Sequence, residues 1–530
     1  MKIKRFAVIL AALLLASALF ASGSSEQSTT AVEKKDTWLV DEPTTLTVLI
    51  SDSASQPIKN YAPAQQAIFE ETGIKLEYQV VPVSTYDEKK NVLMATNNWP
   101  DVACIKPADI STYAPTGIFE PLMKYVNEET MPNFYKFWQK YPDMKNYMID
   151  GELYAFQQIL RDESANGFGP VIRTDLLEKH GIAIPQTFEE LLDALAELKE
   201  IYPDSVPYTG RKGTTQLLKT TSYMLGSGYD QNGIYYDYDL GKYVFGPATQ
   251  EFKAVLRFLN EAYERGILDP DFATTNGEQM ESKLSSGRSF FYLDNSGFGQ
   301  SYTTALRKTP GNENAELQII PIPENEFGQR RAVSYSKDLS DRHVVINASS
   351  KKKDVAVKLI DWLYSDRGSD IANYGVEGVS FQYNENGEPE FITSYLEKFR
   401  DATPSPYYAA FSELGVGKLN FNMYGCNTKT WFEIEKALGN WDDLVEEYWN
   451  IINNDPAYVQ PKVTPPFSTE ESERIADLIM ELSTVLEQEY NKYIMGIEEI
   501  DNWDSVIEKC RKIGATELED IYNNAMARVK

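Results

Sequence analysis

The residues of this chain that could do chemistry are carboxylates, amines and aromatic rings, because the usual catalytic side chains are scarce. His180 and His343 are the two histidines, too few for imidazole-based catalysis or a histidine-rich metal site. Cys104, Cys426 and Cys510 are widely spaced with no CxxC pair, so neither a zinc site nor a disulfide framework is expected; one bridge plus a free thiol stays open. Asp230, Asn232, Asp237 and Asp239 cluster in one short stretch, but their spacing departs from the EF-hand loop, and a solvated hairpin is the expectation. No metal and no cofactor is called for. What remains are polar residues that follow strand-like segments. Asp52 and Ser53 come directly after the β-branched run TTLTVLI, and Lys106 and Asp109 follow the buried segment DVACI.

Those segments belong to an alternating pattern. Thr44 to Ile50 reads as a strand, Ala64 to Thr72 as a helix closing on Gly73, Ile74 to Val81 as a strand, Tyr86 to Thr96 as a helix and Asp101 to Ile105 as a strand. Such a βαβαβ order implies a parallel sheet, whose ligands sit at the carboxyl ends of its strands. The stretch DGELYAFQQILRDESANGFGPVIRTDLLEKHGIAIP, from Asp150 to Pro185, then reads as a passage into a second unit, with a cleft between the two. Beyond it, Thr187 and Glu190 form a capping box ahead of the stripe Phe188, Leu191, Leu192, Leu195 and Leu198. Tyr229 to Phe245 reads as a hairpin turning at Asn232-Gly233, Phe252 to Tyr263 and Glu278 to Ser285 as helices, and Ser289 to Leu293 as a strand ending at Asp294.

At the N-terminus, Lys2, Lys4 and Arg5 precede an apolar run from Phe6 to Phe20 and the small residues Ala21-Ser22-Gly23, the pattern of a cleaved secretory leader. The run is short for a membrane anchor, and no lipobox cysteine stands at the cleavage point. Residues 24–43 read as a flexible tether. At 530 residues and 42% hydrophobic, the chain can build two or three cores. Its formal charge of −28 becomes −31 once the three leader cations are removed. So acidic a surface argues against nucleic acid and anionic lipid as partners.

In order along the chain, the phrases LTVLI, FEETGIKLE, NNWPDVACI, GIFEPL, DGELYAF, VIRTDLLEKHGIAIPQTFEELLDALAELK, FLNEAYERGILDPDFAT, LSSGRSFFYLDN, AVKLIDWLYSDRGSDIANYGVEGVSFQY and NWDSVIEKCRKIG resemble the extracellular solute-binding proteins of ABC importers. The resemblance is to the group similar to maltose-binding protein and its long, lipoprotein-like sugar-binding branch. It implies an α/β, two-lobe periplasmic-binding-protein fold of type II with several hinge crossings. On this reading residues 44–155 and about 320–370 form the first lobe, and 156–319 and about 371–530 the second, with a helical tail. Crossings are expected at Glu152 to Leu160, near Leu317 to Ile322, and after Gly368.

The resemblance further implies a monomeric carbohydrate carrier, exported to the periplasm or beyond, that closes on a small-molecule solute and delivers it to ABC permease subunits. Sugars need flat aromatic platforms and paired hydrogen-bonding groups. At matching positions the chain offers Asp52, Ser53, Trp99, Lys106, Asp109, Tyr154, Phe156, Arg173, Tyr292, Asp294 and Phe298. Each has a purely structural role open to it: Trp99, Tyr154 and Phe156 as hinge or core packing, Asp52, Asp109 and Asp294 as caps, Arg173 as a partner of Asp175. Lys106 and Arg173 would suit an acidic sugar. A sensory protein presenting its ligand, and a glycoside hydrolase, are the competing classes. The latter needs two facing carboxylates about 5–10 Å apart, and no local motif singles out such a pair.

Overall fold

The computed structural model of the protein describes residues 35–160, 167–230, 233–335, 338–417, 429–439, 448, 450–462, 464–465 and 467–528. The leader, most of the tether, Asn166, Asn232 and Cys426 lie outside them. Side chains alternate along the first strand, Thr44–Asp52, so that Leu46, Val48 and Ile50 enter one core and Leu49 the core on the opposite face. This strand pairs in parallel with Ile74–Pro82 and with Val102–Ile105. Leu339–Ile346 runs antiparallel between Val102–Ile105 and Phe156–Ile159, completing a five-stranded sheet. Helices cover both faces, which explains why VACI is buried at every position instead of alternating.

A second sheet has Phe168–Arg173 at its centre, antiparallel to Phe291–Asn295 and to Leu317–Ile319. Ile172, Phe291 and Leu293 share a core with the helices Phe188–Ile201 and Phe252–Glu264, while Val171, Tyr292, Leu317 and Ile319 pack on the other face against Met280, Leu284, Tyr302 and Leu306. Half of the capping box forms: Thr187 Oγ1 accepts from the Glu190 backbone N–H at 3.1 Å, but the Glu190 carboxylate accepts from the Gln186 N–H at 2.7 Å instead of the Thr187 N–H. The tail helices Thr469–Ile494, Trp503–Ile513 and Ala515–Ala527 join the first of these two cores. Trp503 anchors them: its ring stacks on Phe252 at 5.7 Å and its indole N–H donates to the Pro247 carbonyl at 3.0 Å.

The chain divides between its lobes at different points from those expected. Phe156–Ile159 is still a strand of the first sheet and Phe168 opens the second, so the first passage lies between them. The second is not at Leu317 to Ile322, where Leu317–Ile319 is an interior strand of the second sheet. It comes after Ala332–Val333, since Ser334 bridges Gly167 and Leu339 pairs with Ile159. Residues after Gly368 do not leave the first lobe: Ile371, Tyr374, Phe381, Leu396, Phe411, Ile434 and Leu438 all pack into its core. From Tyr448 and Ile452 onward the chain packs with the second lobe, and Tyr458–Val459 pairs with Ala332–Val333 beside the passage.

Two further expectations are corrected. The end of the supposed tether is docked, with Trp38 tilted on Phe69 at 5.8 Å and its indole N–H bound to the Glu70 carbonyl at 3.2 Å. The hairpin turns at Tyr238 to Gly241, not at Asn232-Gly233, because Ile234–Asp237 pairs with Lys242–Phe245. Its turn is held by Asp237, whose carboxylate accepts from the backbone N–H groups of Asp239 and Leu240 and from the Tyr235 hydroxyl, each at 2.9 Å.

Candidate functional site

Strand direction decides which residues can meet a ligand. Phe156–Ile159 leads toward the second lobe, and Val102–Ile105 and Thr44–Asp52 run parallel to it, so Asp52, Ser53 and Lys106 emerge on the rim that faces the passages. Asp52 accepts from the Ile58 backbone N–H at 3.3 Å, and the Ser53 hydroxyl accepts from Gln56 N–H at 3.2 Å while pairing with Ser55. Lys106 begins the helix Pro107–Tyr113, and Asp109 caps it by accepting from the Lys106 backbone N–H at 2.9 Å. The same carboxylate receives the buried Lys90 ammonium at 2.5 Å; Lys90 also reaches Asp87, which in turn pairs with the exposed Lys106 ammonium. Partial burial opposes the charge on Asp87, but the Lys106 hydrogen bond and Lys90 outweigh it and hold its carboxyl below the usual range.

The facing rim is built on the second sheet. Asp294 lies opposite Gly169 at the end of the sheet nearest the passage. There Arg211 grips it bidentately, Nε to Oδ2 at 3.0 Å and Nη2 to Oδ1 at 2.8 Å, in the planar fork geometry that lysine cannot supply. The guanidinium lies over the Phe298 ring, 4.9 Å from its centroid. Tyr335, just past the second passage, meets Phe168 edge-on at 5.2 Å.

Backbone conformation sets the next residue. Lys212 has φ +58° and Gly213 φ +71°, two left-handed residues in succession that open the helix Gly213–Thr221. A Cβ at position 213 would stand 2.7 Å from the Ala273 carbonyl oxygen, so glycine is required there. On the helix Phe298–Leu306, Gln300 is buried with neither its amide nitrogen nor its oxygen hydrogen bonded. On the first lobe, Tyr407 opens the helix Pro406–Leu414. Tyr407 and Tyr408 lie 4.2 Å apart, with Trp431 at 5.8 Å from Tyr407.

Among the residues singled out from sequence, Lys106, Asp52, Ser53, Asp294 and Phe298 are brought to the two rims. Asp109 is adjacent but committed to its cap and to Lys90. The others lie elsewhere. Trp99 precedes the opposite end of its strand and is buried edge-to-face against Phe119. Tyr154 and Phe156 stand at the start, not the end, of the strand leading to the passage. Phe156 is fully buried against Phe134, 5.0 Å away, and Tyr154 packs on the core of the other face. Arg173 closes the end of its strand remote from Phe168 and is held by Asp175 in two 2.7 Å hydrogen bonds. Tyr292 is fully buried, its hydroxyl donating to the Asn295 and Ser296 carbonyls. Sequence reasoning missed Arg211, Lys212 and Tyr335, because none belongs to a periodic segment. The Arg-Lys-Gly run just before a helical stretch is the signal that was available.

Residues 51–370 match the family model described as bacterial extracellular solute-binding protein. The chain belongs to this family. Similar proteins include the lipoprotein LipO of Bacillus subtilis (strain 168), 23% identical over 98% of this chain and 97% of that protein. A polygalacturonan/rhamnogalacturonan-binding protein of the same organism is 23% identical over 87% of each chain. Among solved structures, that of the alginate-binding protein AlgQ2 superposes with a TM-score of 0.76 at 21% identity, covering 93% of this chain and 99% of that one. The solute-binding fold of type II accounts for the two lobes, the multiple passages and the opposed rims. Among the described residues no helix is long and apolar enough to cross a membrane.

Proposed function

We propose that the protein is the substrate-binding subunit of an ABC importer, taking an oligosaccharide between its lobes and handing it to membrane permease subunits. The observation that carries this reading is the pair of opposed polar rims, Lys106 with Asp52 and Ser53 on one lobe and Arg211–Asp294 over Phe298 on the other, in a chain of the solute-binding family. Relatives and neighbours named for polygalacturonan, alginate and fructan-derived ligands support a saccharide as the solute. Aromatic rings beside a charged, bidentate hydrogen-bonding pair suit the apolar faces and hydroxyl edges of sugar rings. The role is binding, not bond cleavage. The carboxylates nearest the rims are engaged with Arg211, Lys90, Lys106 and a backbone N–H instead of forming a facing acid–base pair.

A ligand touching both rims stabilises the closed arrangement by its affinity difference between closed and open states, and the closed form is the one a permease reads. Export follows from the leader, and the acidic charge keeps the carrier away from anionic surfaces. Calorimetric titration of the mature protein with a broad panel of neutral and acidic oligosaccharides tests the reading. One or more should bind with micromolar dissociation constants, about −8 kcal/mol, without release of reducing ends. A panel in which nothing binds refutes it, and turnover of a bound glycan would make the protein a hydrolase.

A further inference from the structure

We infer that the cleft takes a saccharide carrying an anionic substituent, a carboxylate or a sulfate ester, bound between Lys212 of the second lobe and Lys106 of the first. The inference rests on the oligosaccharide-binding reading and adds the chemical class of its ligand.

Three observations converge on it. First, one of the cations named on the rims lacks a carboxylate partner on its own lobe, the unpaired rim carboxylate being Asp52 of the first lobe. Lys90 and Lys106 are matched by Asp87 and Asp109, and Arg211 is matched by Asp294. Lys212 makes no ion pair among the described residues and is exposed. In a chain with formal charge −28, an uncompensated cation set among other cations is the opposite of what the surface otherwise favours.

Second, the neighbours of Lys212 come from both lobes. Arg211 precedes it, and Lys219, paired with Asp230, lies two turns along its own helix; Lys106 of the first lobe and Asp294 also act on its charge. The long helix Thr469–Ile494 holds this arrangement together. It packs against the Lys106 helix Pro107–Tyr113, and its Asn491 side chain receives the Thr214 hydroxyl at 2.6 Å, two residues past Lys212. Crowding by the cleft walls, and then the charge of Arg211, with Lys106 and Lys219 adding to it, hold the Lys212 ammonium below the usual lysine range. An anion placed there relieves that repulsion, and more so once the lobes close and water leaves.

Third, the backbone is strained to present this side chain. Among the described residues Lys212 is one of four non-glycine residues with positive φ, and Gly213, which must be glycine, fixes the same turn. Strain of this kind is kept where a side chain must be aimed. Lysine suits the task, because a compact ammonium on a flexible stem can follow an anionic group as the lobes move, whereas the Arg211 fork stays committed to Asp294.

The test uses the mature full-length protein and matched ligand pairs: galacturonate, mannuronate and guluronate oligosaccharides, each beside its carboxyl-reduced neutral counterpart, and a sulfated beside an unsulfated galacto-oligosaccharide. Calorimetry at 20 and 200 mM NaCl reads the affinities. At least one anionic member should bind about tenfold or more tightly than its neutral partner, with the gap narrowing at high salt. Lys212→Gln, at an exposed position that leaves the Arg211–Asp294 pair intact, should remove most of that gap, and Lys106→Gln part of it. The uronate and sulfate arms decide which anion is preferred. Neutral ligands binding as well as or better than their anionic partners, or an unchanged preference in Lys212→Gln, would overturn the inference while leaving saccharide binding in place. Failure of every ligand, charged and neutral, would remove both.

Discussion

Asp294 and Arg211 form the most consequential side-chain pair on the second rim. Asp294 is about 1% exposed, so removing its partner strands a charge in a water-poor setting, and such losses cost about 3–5 kcal/mol. Arg211→Ala is therefore expected to lower unfolding stability by about that amount in urea titration, and to weaken solute binding as Phe298 loses its cationic cover. Arg211→Lys should recover little of either, because one ammonium cannot make the two hydrogen bonds to Oδ1 and Oδ2. Asp294 was legible in the sequence as the residue ending a strand-like run. Arg211 was not, because a sequence separation of 83 from Asp294 leaves no local trace of the contact. Arg173 misled for the complementary reason: a cation following a strand is visible in sequence, but which end of the sheet faces the cleft depends on pairings made later in the chain.

At the scale of elements, local signals carried most of the reading. Alternation in Thr44–Asp52, the Thr187 side-chain cap and the apolar stripe of Phe188–Ile201 are all properties of a few adjacent residues, and each appears where the pattern put it. The passages between lobes are different. They are fixed by long-range pairings such as Ser334 with Gly167 and Tyr458–Val459 with Ala332–Val333, so no window of sequence contains them. The helical tail was expected from the resemblance, and how it is held is shown by Trp503. It is fully buried among Phe252, Tyr490 and Tyr493. Trp503→Ala should cost about 3–5 kcal/mol, read as a lowered midpoint in chemical denaturation, with hydrogen exchange rising first in Trp503–Ile513 and Ala515–Ala527. Unchanged stability would mean that these helices dock independently of that side chain.

The whole molecule is two sheet-centred lobes of one family fold, with rims of unlike construction. The first rim is a relay of alternating charges from Lys106 to Asp109; the second is a bidentate pair beside a strained lysine. Pro107–Tyr113 packing on Thr469–Ile494 shows that the lobes touch among the described residues, so closure around the passages rearranges such contacts instead of remodelling either core. Small-angle X-ray scattering of the mature protein, with and without an oligosaccharide first identified by calorimetry, tests this account most directly. The account predicts that the radius of gyration falls on saturation, in step with occupancy and with no change in molecular mass. A ligand that binds stoichiometrically while leaving the scattering curve unchanged would contradict capture by lobe closure.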